Sequence, residues 1–379
     1  MGIANQNEID GDEEVFIDRN DRTLTDEEFD DLNAEDQTLP QVTYVAQDFP
    51  VDAIVSRIQK GAIIVPRYGD SANDAVTAGF QRGFVWTKRQ MDRFIESMLL
   101  GYPIPSIFLV RQKADNKLLV LDGQQRLETL KRFYEGLHQD RVYRLQYVSD
   151  EYKGKTYKEL DPSDQLKLDD TSIQATVVIS DDTNELNEAV YKIFERINSG
   201  GTQLTPHEIR VALYSGTLMD QLGELNFDRN WRFVYGDMSR RIRDHELLLR
   251  IFSYYLRADE YRKPLKRFLN QSAQMWRGGL PNWDEQRRVF STAVEILAES
   301  INASGRRSIT LQPAQLEATI VALMKGISSG EEVGGINRRI QKLRVDDDFV
   351  RLSKSQTTDV ENVRDRHRRA FEILVQNAD

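Results

Sequence analysis

The sequence predicts an α+β fold, in which an α/β subdomain is followed by an all-helical subdomain. Short β-branched or aliphatic runs alternate with helical patterns between residues 62 and 180. From residue 205 to the end, apolar residues recur with a helical period of about 3.6 residues. Residues 1–40 are acidic and weakly hydrophobic. We therefore predict an acidic segment at 1–40, an α/β domain at 41–203 and a helical domain at 204–379.

The acidic segment carries most of the chain's charge imbalance. It holds 14 Asp and Glu residues against Arg19 and Arg22, giving −12; the whole chain has −10, which leaves +2 for the remainder. Such a composition predicts disorder. Two roles stay open: a solubilising tail, or a mimic of nucleic acid that shields a basic groove in the body.

The sequence lacks several residues and motifs, which excludes some classes of protein and of active site. The chain has no cysteine, which rules out disulfides, thiolate zinc sites and cysteine nucleophiles. No apolar stretch approaches the roughly 18 residues that span a bilayer, and the acidic N-terminus is unlike a secretory or mitochondrial signal. A cytoplasmic location is expected. No P-loop, H-E-x-x-H, G-x-S-x-G or His-Asn-His grouping is present.

The first elements of the body are a helix and a strand. Apolar residues share one face across 51–58, and the apolar run 62–65 follows. Thr87 with Gln90 forms a capping box before a strongly amphipathic helix, which Gly101 ends. The apolar positions of that helix are Met91, Phe94, Ile95, Met98 and Leu99.

A predicted hairpin leads into the most distinctive motif. Residues 107–110 and 118–121 are aliphatic strands separated by a polar turn. The chain then passes through Asp122-Gly123-Gln124-Gln125-Arg126 into a helix that Gly136 ends. Residues 173–180 form a further strand, and capped helices follow.

The loop from Asp122 to Arg126 is the first candidate site. A helix N-terminus after a strand attracts anions, and Gly123 allows close approach of a ligand. The positive charge of Arg126 lies in the first turn, beside the positive end of the helix dipole, which is unfavourable. A bound phosphate would neutralise that charge. Asp122 can hold Mg²⁺ or orient a water, and Gln124 or Gln125 can position an attacking water. The alternative is a tight turn whose Gln and Arg side chains only cap the helix.

Two further segments are candidates. Gln81 and Arg82 lie in an aromatic run ending at Trp86, where an arginine can stack on a base, bind phosphate or simply pack on the tryptophan. Asn198, Gly200 and Gly201 suit an anion-binding nest, or an ordinary helix C-terminus. Basic clusters occur at 240–243, 338–339 and 364–369; interleaved acids favour solvated helix faces over a DNA footprint.

Three blocks in this order resemble the GmrSD-type restriction endonuclease N-terminal domain family. They are FQRGFVWTKRQMDRFIESMLLGYPIP at 80–105, LVLDGQQRLETLKRF at 119–133 and FERINSGGTQLTPHEIR at 194–210. The helical stretch 241–256 looks similar to the segment that follows in the family. This resemblance implies a ParB/sulfiredoxin-like core in the α/β subdomain.

The resemblance also implies roles for individual residues. The DGQQR motif of the family is tied to nucleotide binding and hydrolysis, with an NTP and Mg²⁺ as ligands. The implied catalytic residues are Asp122, Gln124, Gln125 and Arg126, with Asp122 as the metal ligand. The implied phosphate-binding residues are Gln81, Arg82, Gly123 and Arg126, to which the possible nest adds Asn198, Gly200 and Gly201.

The resemblance implies a nucleotide-binding switch or sensor of a DNA-restriction or anti-phage system, and leaves NTP hydrolysis open. Family members are often coupled to a C-terminal His-Asn-His nuclease, which this sequence lacks. The implied partners are an NTP, DNA with or without modification, and a separate nuclease or defence protein; no membrane is implied. The alternatives are a non-catalytic DNA-binding module and a histidine-independent DNA nickase.

Overall fold

The fold was examined in a computed structural model. It describes residues 42–65, 86–112, 116–179, 189–193, 205–239, 241–303, 311–331 and 336–376. Within these ranges a mixed five-stranded sheet with its helices precedes an all-helical region, which confirms the predicted α+β class. The ParB/sulfiredoxin likeness and the boundary at 203/204 stay predictions.

The N-terminal region alternates strands and helices. Its elements are β1 (Tyr44–Pro50), α1 (Val51–Gln59), β2 (Ile63–Ile64), α2 (Lys88–Leu99), β3 (Ile107–Arg111), β4 (Leu118–Asp122), α3 (Gln124–Glu135), β5 (Leu137–His138), β6 (Arg141–Val142), α4 (Pro162–Asp170) and β7 (Ser172–Ile179). The capping box of Thr87 and Gln90 at the start of α2 is confirmed. Strand β1 was not predicted, because six of its seven residues are exposed and no alternation marks them.

The strands lie in the order β1-β7-β3-β4-β2. The predicted hairpin is confirmed, since β3 and β4 pair antiparallel; β7 runs parallel to β3. A register shift between Phe108 and Leu109 places Phe108 opposite Asp122. Such a bulge redirects the end of a strand. Here it lies where β4 enters the DGQQR loop.

Two cores cover the two faces of the sheet. Helices α1 to α4 pack on one face, with Leu109 and Val120 among the buried residues. The other face, with Leu119 and Leu121 of β4, is covered by the helical segment 189–193 and by α5 (Pro206–Leu213). Successive residues of β4 therefore face opposite cores, as the pleat of a strand requires.

The C-terminal region is helical in all the parts that the structure describes. Its helices after α5 are α6 (Thr217–Asn226), α7 (Arg229–Tyr235), α8 (Arg243–Arg257), α9 (Leu265–Met275), α10 (Trp283–Ala303), α11 (Pro313–Ser329), α12 (Ile336–Arg344), α13 (Asp347–Leu352) and α14 (Val360–Phe371). One large apolar core joins them. No helix among the described residues is long and apolar enough to cross a bilayer.

Candidate functional site

The DGQQR motif forms the junction between β4 and α3. Asp122 is the last residue of β4, Gly123 is the N-cap of α3, and Gln124 is the first helical residue. Gly123 has φ of +96°, and a Cβ atom at this position would lie 2.5 Å from Cγ2 of Ile107. The glycine is thus required by the backbone conformation and by its close packing on β3, with or without a ligand.

The Arg126 side chain is engaged by protein acceptors. Its guanidinium donates to the backbone carbonyls of Pro105 and Ser106, and to Oδ2 of Asp122 at 2.9 Å. Burial lowers the pKa of Arg126, and the Asp122 carboxylate partly offsets this shift. The sequence suggested that a phosphate would offset the position of this charge at a helix N-terminus. In the structure, Asp122 and two carbonyls already do so.

Gln125 connects the motif to the start of α2. Its side-chain oxygen accepts a hydrogen bond from the backbone N–H of Trp86 at 3.2 Å. Its backbone carbonyl accepts one from the Thr129 hydroxyl at 2.7 Å. Trp86 in turn packs edge-on against Phe94 of α2. The first and second sequence blocks therefore meet at Gln125, which sequence spacing alone did not reveal.

The first turn of α3 retains donors suited to an anion. No side chain among the described residues caps this helix, whose N-cap is a glycine. The Gln124 side-chain nitrogen is buried and makes no hydrogen bond with any of those residues. A buried donor without an acceptor costs roughly 1–3 kcal/mol, so an ordered water or a bound anion would stabilise this arrangement.

Five predicted binding residues lie in parts of the chain that the structure does not describe. Gln81, Arg82, Asn198, Gly200 and Gly201 all lie outside the described residues. Trp86 and Thr205 mark where the described chain resumes. Asp122, Gly123, Gln124, Gln125 and Arg126 are brought together at one junction.

The end of the third block is a buried polar network. In α5, His207 Nε2 lies 2.8 Å from His245 Nδ1, and Arg210 donates to the Asn270 side chain at 2.9 Å. Glu208 accepts from Arg241 at 3.1 Å and closes the capping box with Thr205. These residues join α5 to the helical region and have a structural role.

The arginines of the basic clusters differ in burial, whereas the sequence suggested that all of them would be solvated. Arg241 and Arg366 are buried ion-pair partners of Glu208 and Glu317, whereas solvated faces were expected. Arg364 and Arg368 are exposed beside Asp365, as the interleaved acids predicted. A helix face that looks charged in sequence can therefore be buried when a neighbouring helix supplies the counter-charge.

Sequence reasoning missed the partners of the motif. The carbonyls of Pro105 and Ser106, the Trp86 amide and the Ile107 side chain all contact it. Backbone acceptors carry no residue-type signal. The only available hint was the position of Pro105 and Ser106 just before the predicted strand that pairs with β4.

Metal coordination at this site would be incomplete from protein groups alone. Among the described residues no three His, Asp or Glu side chains gather as a metal site. Asp122 is 39% exposed, whereas Arg126 is 12% exposed. Asp122 is thus the group of this pair that a ligand can reach.

Comparison with protein-family models gives a match to the GmrSD restriction endonuclease N-terminal domain over residues 53–215. Neither the curated proteins nor the solved structures give a significant match. The matched stretch contains all three sequence blocks, and it ends after α5, whose Ile209 and Ala212 pack on the sheet. Residues 53–215 of the chain are therefore identified as a GmrSD restriction endonuclease N-terminal domain.

Proposed function

We propose that this protein is a nucleotide-binding switch of a DNA-restriction system, and that the DGQQR junction binds the phosphates of an NTP. The observation that carries the proposal is the uncapped N-terminus of α3, which begins directly after Gly123 and beside the exposed Asp122 carboxylate. The restriction context comes from the family of residues 53–215.

The first turn of α3 supplies the attraction for phosphate. The N–H groups at a helix N-terminus point along the axis and carry a partial positive charge. The glycine N-cap has no side chain to cap these N–H groups, and an anion can take the place of a capping side chain. Gln124 adds a side-chain donor without an acceptor at the same turn. These groups bind phosphate without needing Arg126 as a ligand.

Asp122 fits the role of a Mg²⁺ ligand in a nucleotide complex. Mg²⁺ in such sites is commonly held by one or two carboxylates together with substrate phosphates and waters. Asp122 provides one reachable carboxylate, which matches that requirement. When bound, the cation would neutralise phosphate charge and so favour hydrolysis. Of the two glutamines, Gln124 is the candidate for orienting a water, since the side-chain oxygen of Gln125 already accepts from the Trp86 N–H.

The direct test is binding of ATP, GTP and CTP with Mg²⁺ by calorimetry, followed by phosphate release. Wild type should bind at least one NTP, and Asp122→Asn should weaken the Mg²⁺-dependent binding by about tenfold or more. Asp140→Asn, an exposed carboxylate in the same region, is the matched control. If Asp122→Asn leaves the affinity for Mg²⁺–NTP unchanged, Asp122 is not part of the binding site. A switch in restriction further requires that DNA or a partner nuclease change the rate of phosphate release.

A non-catalytic DNA-binding module is the second candidate. Arg89 and Arg93 are exposed on α2, one turn apart, and neither forms an ion pair with a described residue. They follow Trp86, so they lie on the helix that begins beside the motif. This function predicts salt-sensitive DNA binding, lost in Arg89→Ala with Arg93→Ala, and no phosphate release.

A further inference from the structure

The guanidinium of Arg126 joins three segments of the chain. It bonds the carbonyls of Pro105 and Ser106, which precede β3, and the carboxylate of Asp122, which ends β4. Its own backbone lies in the first turn of α3. One side chain thus fixes the direction of that turn relative to two strands.

A second contact holds the same turn. Ile107, the residue after Ser106, packs so closely on Gly123 that no Cβ atom would fit between them. Together, the Arg126 hydrogen bonds and the Gly123–Ile107 contact fix both ends of the first turn of α3. The contacts are short-range and mostly partly buried, so they limit movement of the turn.

The accessibility of Arg126 argues against direct contact with a ligand. Only 12% of its side chain is exposed, against 39% of the Asp122 side chain. A phosphate that bonded either Nη atom of the guanidinium would have to displace Asp122 or a backbone carbonyl. Displacing a carbonyl would leave a partly buried acceptor without a partner, which costs free energy.

We propose that Arg126 is a positioning residue: it aims the first-turn amides of α3 and the Asp122 carboxylate at the phosphates, and does not bind phosphate itself. This inference rests on the proposed function. In this proposal, the attraction for the phosphates comes from the helix N-terminus and from the cation at Asp122, and not from the charge of Arg126.

Two substitutions of Arg126 separate positioning from direct phosphate binding. Arg126→Lys keeps the positive charge but loses the planar fork that reaches several acceptors at once. Arg126→Ala removes both. Arg141→Ala, at an exposed arginine of β6, is the matched control.

For a positioning residue, Arg126→Lys and Arg126→Ala should weaken Mg²⁺–NTP binding similarly, by about 10- to 100-fold, because a small misplacement of the binding groups suffices. Both should speed hydrogen exchange in peptides covering 102–108 and 120–127, with strand β7 unchanged. A loss of affinity without faster exchange in these peptides would overturn the proposal and make Arg126 a phosphate ligand.

A double-mutant cycle of Arg126→Ala with Asp122→Asn measures the coupling between the two residues in Mg²⁺–NTP affinity. General destabilisation of the protein would not produce such coupling. If Arg126 positions Asp122 as well as the first-turn amides, the affinity lost in the double variant should be less than the sum of the losses in the two single variants. Additive losses would contradict positioning of Asp122. Failure of wild type to bind any NTP would instead reject the proposed function, whereas the exchange comparison still shows whether Arg126 holds the turn.

Discussion

Arg126 and Asp122 form an ion pair at 2.9 Å across the junction of β4 and α3. The two residues are four positions apart, yet one lies in a strand and the other in the helix that follows. Their pairing closes the turn around Gly123. The motif is therefore a structural joint as well as a candidate binding site, and its substitutions should affect stability before any ligand is added.

Arg126→Ala should destabilise the ligand-free protein more than Asp122→Asn. Loss of Arg126 leaves the partly buried carbonyl of Ser106 without its donor, at a cost of roughly 1–3 kcal/mol, whereas the exposed Pro105 carbonyl can bond water instead. The Asp122 partner is partly exposed, so solvent screening should limit the effect of Asp122→Asn to about 0–1 kcal/mol. Urea unfolding measures both changes. A larger loss for Asp122→Asn would mean that the ion pair dominates over the carbonyl contacts.

Gly123→Ala should be strongly destabilising, because the new Cβ would meet Ile107 at 2.5 Å in a backbone with φ of +96°. The left-handed conformation alone costs about 1–3 kcal/mol, and the steric overlap adds to it. Gly136→Ala is the matched control, since Gly136 has φ of +75° and nothing within 4 Å of its Cβ position. Thermal unfolding should show a clearly larger decrease in Tm for Gly123→Ala than for Gly136→Ala. Equal decreases would show that the contact with Ile107 does not add to the cost.

Glu317→Gln should cost about 3–5 kcal/mol, because it leaves Arg250 and Arg366 as buried charges without their carboxylate. Burial alone would raise the pKa of Glu317, but Arg250, His367 and Arg366 outweigh it and lower the pKa to about 2. The wild-type contribution is therefore complete above the ordinary pKa of 4.5 and is lost as pH falls toward 2. Denaturant unfolding against pH measures both effects.

The control for that prediction is Glu224→Gln. Glu224 pairs with Arg287, and the two side chains are 49% and 53% exposed. Surface ion pairs contribute about 0–1 kcal/mol, so this substitution should change the unfolding free energy little. A loss comparable to that of Glu317→Gln would show that burial does not set the cost.

Stability should fall as pH decreases below about 6.5, the pKa of histidine in an unfolded chain. Burial, followed by the nearby His245 and Arg210, lowers the pKa of His207 well below this value. The folded state thus holds His207 neutral, whereas the unfolded state takes up a proton, and acid favours unfolding. Replacing both His207 and His245 with Gln should flatten the decline in Tm between pH 7 and 5.5. An unchanged pH profile would contradict this.

The helices around the DGQQR motif and the hairpin that leads into it followed from local sequence, whereas strand β1 did not. Capping residues at Thr87 and Thr205, the glycine at 136 and the helical periodicity act within a few residues of each other, so their consequences can be predicted without tertiary contacts. The same holds for the strand–loop–helix at Asp122–Arg126. The match of residues 53–215 to the GmrSD restriction endonuclease N-terminal domain also follows from the sequence alone.

Only the tertiary structure decided what the side chains of the motif contact. Arg126 bonds carbonyls about twenty residues earlier, and Gln125 bonds Trp86 thirty-nine residues earlier. Backbone acceptors are the same in every residue type, and the sheet order brings them to the motif through non-local pairing, so no local pattern encodes them. The burial of Arg366 beside Glu317 has the same origin: a charge is exposed or buried according to which helix packs against it.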